Sequence, residues 1–129
     1  MRIALDAMGG DNAPVETIKG AVAALSEIEK LQLVLVGKKE VIEAELSKYK
    51  YSKERIEIVD TREVIEMTDD PVTAVKTKKD SSMNKTLELA KEGIVDASVS
   101  AGNTGALITA SQLKLKRIKG VLRPAIATM

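Results

Sequence analysis

The chain has 129 residues, of which 44% are hydrophobic and 30% are charged, and its formal net charge is +1. These values are typical of one globular domain with a buried core, and such a balance of charge provides no field that recruits nucleic acid. The absence of cysteine and histidine excludes disulfides, thiolate nucleophiles and imidazole bases within this chain. Since Tyr49 and Tyr51 are the only aromatic residues, base-stacking platforms are nearly excluded as well.

The first sixty residues alternate between strand and helix patterns. The sequence predicts strands at 2–5, 31–36 and 56–59, with helices at 14–29 and 38–50 between them. The second strand is an almost continuous apolar run, as expected for a buried strand of a parallel sheet. The third strand is shorter and alternates between polar and apolar residues, which favours a position near the edge of the sheet.

The second half of the chain continues the alternation with less regular patterns. Residues 61–70 are acidic and mixed, and the charged residues 76–80 are typical of a flexible turn. The predicted elements are a short helix at 71–75, a helix at 82–92 closed by Gly93, a strand at 94–100 and a helix at 104–116. Residues 125–129 predict the opening of another buried strand, so we expect this chain to be the front part of a longer protein.

No apolar run is long enough to cross a bilayer, and the first residues lack the basic start and apolar core of a signal peptide. We therefore expect a cytoplasmic protein. The alternation of strands and helices predicts the α/β class, with a mostly parallel sheet.

Two strand-to-helix junctions contain most of the chemical signal. One strand runs into Asp6 and the turn Gly9-Gly10-Asp11, and another reaches Ser100 and continues as Ala101-Gly102-Asn103-Thr104-Gly105. Glycines let a ligand approach the main chain closely, and free N–H groups at a helix N-terminus favour an anion. Because both turns follow strands of one predicted sheet, we expect a phosphate or carboxylate site at its carboxyl edge.

Each junction also has a purely structural interpretation. Asn103 or Thr104 can simply cap the following helix, and Asp11 or Asn12 can cap the helix that begins near residue 14. Neither turn is a dinucleotide fingerprint or a Walker A loop, so nucleotide binding has no support. Asp6 and Asp11 are candidates for a general base or a metal pair, although capping explains Asp11 equally well.

Three further groups of residues have competing interpretations. Asp69-Asp70 is typical of a turn that starts a helix. Ser81-Ser82 can cap a helix, or contact a phosphate together with the upstream Lys78 and Lys79. The basic cluster comprises Lys114, Lys116, Arg117, Lys119 and Arg123. This cluster is either the solvated end of a helix or a docking patch for an acidic partner, with Arg123 as a candidate phosphate clamp.

Four segments together resemble a known family. They are Asp6-Ala7-Met8-Gly9-Gly10-Asp11, Lys79-Asp80-Ser81-Ser82-Met83, Ser100-Ala101-Gly102-Asn103-Thr104-Gly105-Ala106 and Arg123-Pro124-Ala125. Their order and spacing resemble those of the bacterial phosphate acyltransferases of phospholipid synthesis. The resemblance covers almost the whole chain and implies the N-terminal part of such an enzyme. It implies a three-layer α/β/α sandwich similar to phosphotransacetylases and the isocitrate and isopropylmalate dehydrogenases, with residues 1–129 belonging to a single domain.

The resemblance also implies a reaction and its partners. Inorganic phosphate attacks the thioester of acyl-acyl carrier protein, and the resulting acyl phosphate supplies glycerol-3-phosphate acylation. Members of this family are cytoplasmic homodimers that associate peripherally with the inner face of the membrane and use no organic cofactor. We expect no resident metal and no nucleic-acid partner.

The candidate site residues follow from matching these segments to the family. The candidate catalytic residues are Asp6, Asp11 and Asn103. The candidate phosphate- or substrate-binding residues are Gly9, Gly10, Ser81, Ser82, Ser100, Gly102, Thr104 and Gly105. The basic cluster is the candidate contact for the acidic carrier protein.

Two other functions are compatible with the residues alone. The first is a phosphotransacetylase or dehydrogenase relative that acts on another anionic substrate, although neither a carboxylate cluster nor a nicotinamide pocket is evident. The second is a non-catalytic α/β module that binds anions or an acidic protein. A protein that phosphate stabilises against heat, but that shows no turnover, would favour this second alternative.

Overall fold

The computed structural model describes residues 1–126 of the chain. Its strands are β1 (Arg2–Asp6), β2 (Gln32–Gly37), β3 (Ile56–Asp60) and β4 (Ala97–Val99). They form one parallel sheet in the order β3-β2-β1-β4, with β3 at an edge as predicted. The α-helices are α1 (Val15–Glu27), α2 (Lys39–Leu46), α3 (Pro71–Thr77), α4 (Ser82–Lys91) and α5 (Thr104–Lys114).

Helices cover both faces of the sheet. Successive residues of a strand point to opposite faces, so each face of β2 presents its own apolar residues. Leu33 and Leu35 pack in one cluster with residues of α1 and α2. Val34 and Val36 pack on the other face with Leu89 of α4. This arrangement confirms the predicted α/β/α layers and parallel sheet.

The helices on the second face share an apolar cluster of their own. Met83 and Leu87 of α4 pack in this cluster with Ala74 of α3 and Ala106 and Ala110 of α5. Because the contributions of α5 are alanines, this helix can approach its neighbours closely. Thus α4 lies between the sheet and the α3–α5 pair.

The strand predicted at 94–100 is shorter in the structure and comprises Ala97–Val99. The preceding residues are used to end α4, since the Ile94 N–H donates to the Leu89 carbonyl at 3.0 Å. Gly93 has a φ of +72°, and its N–H donates to the Ala90 carbonyl at 3.1 Å. These two bonds form a Schellman motif, which confirms Gly93 as the residue that closes the helix.

The start of α1 differs from the prediction. Neither Asp11 nor Asn12 caps this helix, because Pro14 occupies the cap position and no side chain accepts a hydrogen bond there. The Thr17 hydroxyl instead donates to the carbonyl oxygens of Ala7 at 2.7 Å and Pro14 at 2.9 Å. The turn after β1 is therefore fastened to α1 by a threonine within the helix.

Two helices end earlier than the sequence predicts. α2 ends at Leu46 rather than near residue 50, because the chain turns there and Tyr49 packs on the apolar cluster beneath α1. α5 ends at Lys114 rather than residue 116. Residues 125 and 126 belong to no strand, and residues 127–129 of the predicted last strand lie outside the described residues. Within residues 1–126, no helix is long and apolar enough to cross a membrane.

Candidate functional site

The strand order brings the two glycine junctions to one place. From β1 the chain passes to β2 and β3 on one side, and then returns to form β4 on the other side of β1. In open α/β sheets such a change of direction leaves a crevice at the carboxyl ends of the two central strands, where ligands bind. Residues 7–14 follow β1 and residues 100–103 follow β4, so both predicted turns border this crevice.

The two turns pack directly on each other. A Cβ atom on Gly102 would lie 3.5 Å from the Gly9 Cα and only 2.9 Å from the Met83 Cε. Gly10 has a φ of +107°, and a Cβ atom there would lie 3.2 Å from the Ala101 carbonyl oxygen. These glycines are therefore required by the close approach of the two turns.

Asp6 joins the turns through its carboxylate. This side chain is only 1% exposed at the end of β1. Its Oδ2 accepts a hydrogen bond from the Ser100 hydroxyl at 2.7 Å, and its Oδ1 accepts one from the Met8 N–H at 3.2 Å. The Ser100 oxygen in turn accepts from the Gly102 N–H at 3.2 Å. The chain Asp6–Ser100–Gly102 therefore fixes the second turn relative to the first.

Asn103 caps α5 and binds a neighbouring loop. Its Oδ1 accepts from the Ala106 N–H at 3.1 Å, which confirms the capping interpretation. Its Nδ2 lies within 3.2–3.4 Å of three carbonyl oxygens, those of Glu66, Met67 and Asp69. With both ends of the amide bonded, Asn103 fastens the loop that precedes α3 to the start of α5.

The first turn of α5 presents free hydrogen-bond donors. Within residues 1–126, the backbone N–H groups of Thr104 and Gly105 donate to no other group. Thr104 is exposed, whereas Gly105 packs so closely on Pro71 that a Cβ atom would lie 2.8 Å from the proline Cγ. Since the helix dipole adds to these donors, this end of α5 favours an anion.

The start of α4 lies beside the second turn. The Ser81 hydroxyl accepts from the Asn84 N–H at 3.2 Å, and the Ser82 N–H donates to the Glu63 carbonyl at 3.2 Å. Both serines are buried, and the cap predicted at Ser81 is confirmed. Because Met83 contacts Gly102, the start of α4 packs against the second turn, while both serines lie beneath the surface.

Lys78 is ordered, although residues 76–80 are typical of a flexible turn. Its ammonium donates to the Val64 carbonyl at 2.8 Å and to Asp69 Oδ2 at 2.6 Å. The bond from Lys78, followed by one from the Glu66 N–H, lowers the pKa of Asp69. Lys78 thus holds the same loop that Asn103 binds. No sequence signal could have revealed this contact, because it depends on how α3 folds back.

Asp11 and the basic cluster are less closely integrated. Asp11 is exposed and has no hydrogen bond or ion pair with its side chain among residues 1–126. Lys114 donates to Glu88 at 2.9 Å, and the other members of the cluster, Lys116, Arg117, Lys119 and Arg123, are exposed. The eleven residues of α5 separate this cluster from the glycine turns by about 16 Å. In the described part of the chain, no group of three acidic side chains could hold a metal ion.

Comparison with solved structures finds a protein with a similar fold. A phosphotransacetylase from Streptococcus pyogenes superposes with a TM-score of 0.66 and 18% sequence identity, over 95% of this chain and 40% of that protein. At this identity the likeness supports the fold alone.

Comparison with protein sequences shows closer relatives. The phosphate acyltransferase of Fusobacterium nucleatum is 66% identical over all 129 residues, and that of Dictyoglomus thermophilum is 55% identical. The chain spans 39% and 38% of the lengths of these relatives. A family model described as fatty acid synthesis protein matches residues 1–129. The chain therefore belongs to the fatty acid synthesis protein family, together with these phosphate acyltransferases.

Proposed function

We propose that the chain forms the phosphate-binding part of an acyltransferase. The enzyme makes acyl phosphate from acyl-acyl carrier protein and inorganic phosphate, and so feeds glycerol-3-phosphate acylation in phospholipid synthesis. The observation that carries this proposal is the meeting of two glycine turns beside the free N–H groups of Thr104 and Gly105. The names of the relatives support the class of reaction.

The site is suited to positioning a phosphate nucleophile. One phosphate oxygen bonds to the thioester carbonyl carbon, the C–S bond breaks, and the thiol leaves with the proton that phosphate gives up. Such a reaction depends mainly on positioning and on donors aimed at negative charge, which backbone N–H groups provide without reorganisation. Because hydrogen phosphate and dihydrogen phosphate coexist near neutral pH, no strong base is needed.

The contacts of the candidate residues distinguish their proposed roles. Asp6 and Ser100 bond to each other, and Asn103 is bonded at both ends of its amide, so we assign all three to positioning. Asp11 is exposed beside the first turn, and we assign it the orientation or deprotonation of phosphate. The Thr104 hydroxyl, also exposed, is assigned to phosphate or to the thioester oxygen.

The proposal extends to the whole protein through the resemblance to the family. Residues 1–129 form the N-terminal part of a single α/β/α domain, which fits the 38–39% of the relatives' length that they span. The protein is a cytoplasmic homodimer associated peripherally with the inner face of the membrane. Acyl carrier protein contacts the basic cluster at the end of α5.

The decisive experiment traps acyl phosphate with hydroxylamine. The intact protein is incubated with acyl-acyl carrier protein, with and without inorganic phosphate, and the hydroxamate is quantified. We expect phosphate-dependent product, and we expect Asp11→Asn to lower kcat by about ten- to a hundredfold. Glu29→Gln, at an exposed position beyond the C-terminal end of α1, is the matched control.

The alternative function, a non-catalytic module that binds anions, predicts a different result. If phosphate raises the melting temperature but no hydroxamate forms with several acyl-chain lengths, the chain belongs to an anion-binding module and the acyltransferase proposal is wrong. If Asp11→Asn and Glu29→Gln behave alike, Asp11 has no role in the reaction.

A further inference from the structure

A groove on the outer face of the molecule extends from the basic cluster at the end of α5 to α3 and α4. One part of it has a volume of about 370 Å³, and its lining includes Val75, Lys76, Lys79, Lys91 and Leu113. The other part has a volume of about 580 Å³, shares Leu113, and is bounded by Val72, Lys116 and Arg117. We call both parts together the α3–α5 groove. It follows the seam between α3 and α5 and extends over the outer side of α4.

The groove is positively charged. Among residues 1–126, no carboxylate pairs with Lys76, Lys79, Lys91 or Lys116. The one acidic residue of the lining, Glu88, is already paired with Lys114 at 2.9 Å and with Lys85 at 3.6 Å. Within the described residues, the charge on the four lysines is therefore not neutralised.

Apolar side chains lie between these charges. Val72 is 47% exposed and Leu113 is 55% exposed, while the buried Val75 forms part of the floor. An apolar centre with a charged rim is the usual arrangement of a protein–protein interface. Since the surface is concave, it fits a protruding protein segment better than a flat bilayer.

The groove also leads to the candidate site. Val72 follows Pro71, and Pro71 packs against Gly105 at the start of α5. A partner lying in the groove therefore has one end next to the free N–H groups of Thr104 and Gly105.

We propose that the α3–α5 groove is the docking site of an acidic protein, the acyl carrier protein of the reaction proposed above. The inference rests on that proposed function and adds α3 and α4 to the contact surface. Carboxylates of the carrier meet Lys76, Lys79 and Lys116, and an apolar side chain of the carrier lies on Leu113. The thioester is then delivered along the seam toward the second glycine turn.

The test measures binding separately from turnover. Fluorescently labelled acyl carrier protein is titrated with the intact protein, and anisotropy gives the dissociation constant. We expect the double variant Lys76→Glu/Lys79→Glu to raise this constant about tenfold or more, and added salt to weaken binding of the unaltered protein. The control, Lys50→Glu/Lys53→Glu, makes the same change of charge at exposed lysines beyond the opposite face of the sheet. Circular dichroism confirms that both variants are folded.

The following results would each overturn the docking proposal. An unchanged dissociation constant, or an equal rise in the control, shows that the groove does not bind the carrier. Loss of binding to vesicles of anionic phospholipid, with carrier binding intact, assigns the groove to the membrane. A change of oligomeric state in size-exclusion chromatography assigns it to a second copy of the chain. Hydroxamate formation by the unaltered protein from a small acyl thioester reports on the proposed reaction alone, so failure there is distinguishable from failure of docking.

Discussion

The glycines of the candidate site pack so closely on their neighbours that they leave almost no room for a side chain. A methyl group on Gly9 would lie 2.6 Å from Asp6 Oδ2 and 2.9 Å from the Ser100 hydroxyl. Both atoms belong to the hydrogen bond that joins the two turns. A residue with a side chain at Gly9 must therefore displace either that bond or the turn itself.

This crowding predicts opposite effects for two glycine substitutions. We expect Gly9→Ala to lower the free energy of unfolding by about 1–3 kcal/mol, because the new methyl group overpacks the turn. We expect Gly20→Ala to raise it by about 0.5–1 kcal/mol, since a Cβ atom there meets nothing within 4 Å and alanine is favoured within α1. Urea unfolding of both variants measures the difference. Equal effects would show that the Gly9 contact is relieved at no cost.

Asn103 allows the cap of α5 to be separated from the loop contacts. Asn103→Ser retains a cap acceptor and loses the three donor contacts, whereas Asn103→Asp retains the cap and turns a carboxylate oxygen toward the same carbonyls. We expect Asn103→Asp to be less stable than Asn103→Ser by at least about 1 kcal/mol at neutral pH. Thermal and urea unfolding test this order. If the two variants are equally stable, the amide contributes through its cap alone.

At the scale of elements, the loop before α3 owes its shape to contacts from other elements. Lys78, at the C-terminal end of α3, bonds to the Val64 carbonyl and to Asp69. Asp70 caps the same helix by accepting from the Thr73 N–H at 2.8 Å. Asn103 holds the loop from the side of α5. The start of α3 and the start of α5 are thus held together through residues 66–70.

The bond between Lys78 and Asp69 makes stability depend on pH. Lys78 lowers the pKa of Asp69 in the folded protein, so the stabilisation is fully present above the ordinary value of about 3.9 and is lost as the pH falls through the lowered value. We expect the stability difference between the unaltered protein and Lys78→Met to be constant from pH 7 to about 5 and to shrink at lower pH.

Urea unfolding at several pH values measures this difference. Lys53→Met is the control, because Lys53 is exposed and has no ion pair with a residue of the described chain. A pH-independent difference for Lys78→Met would mean that Lys78 does not lower the pKa of Asp69.

The elements were predictable where local chemistry determines them. Asp70, Ser81 and Asn103 cap their helices as their positions predict, and the apolar run of β2 is buried in a parallel sheet. The cap predicted at Asp11 or Asn12 is wrong, since no side chain accepts a hydrogen bond at the start of α1, and Thr17 instead fastens the preceding turn by donating to carbonyl oxygens. Strand order and the contacts of Lys78 depend on residues far apart in the chain, and no local pattern encodes them. The meeting of the glycine turns was predictable only because carboxyl ends of parallel strands share an edge.

At the scale of the whole molecule, two differently packed regions meet at the candidate site. On the side of β2 and β3, the cluster beneath α1 and α2 contains large residues such as Ile18, Leu35 and Leu46. On the side of β4, the short strand has one neighbouring strand among residues 1–126, and Val99 is 50% exposed. The second turn is joined to the first by the specific hydrogen bonds of Asp6, Ser100 and Gly102.

This contrast predicts that loss of one hydroxyl loosens one region selectively. Ser100→Ala removes the bond to the buried Asp6 carboxylate, and we expect a loss of about 1.5–3 kcal/mol in the free energy of unfolding. Hydrogen–deuterium exchange should become faster at residues 102–106, because local opening is governed by the contacts of each region. Exchange in β2 should become faster only by the factor that the loss of global stability accounts for.

A second serine provides the matched control for that experiment. The Ser98 hydroxyl joins β4 to α4 by donating to the Thr86 carbonyl at 2.9 Å, and within residues 1–126 it has no hydrogen bond to the glycine turns. We expect Ser98→Ala to cost about 1 kcal/mol and to leave exchange at residues 102–106 unchanged relative to global stability. Faster exchange of those residues in both variants would show that the whole β4 region opens as a unit. Faster exchange in Ser100→Ala alone would identify the Asp6–Ser100 bond as the contact that holds the two turns together.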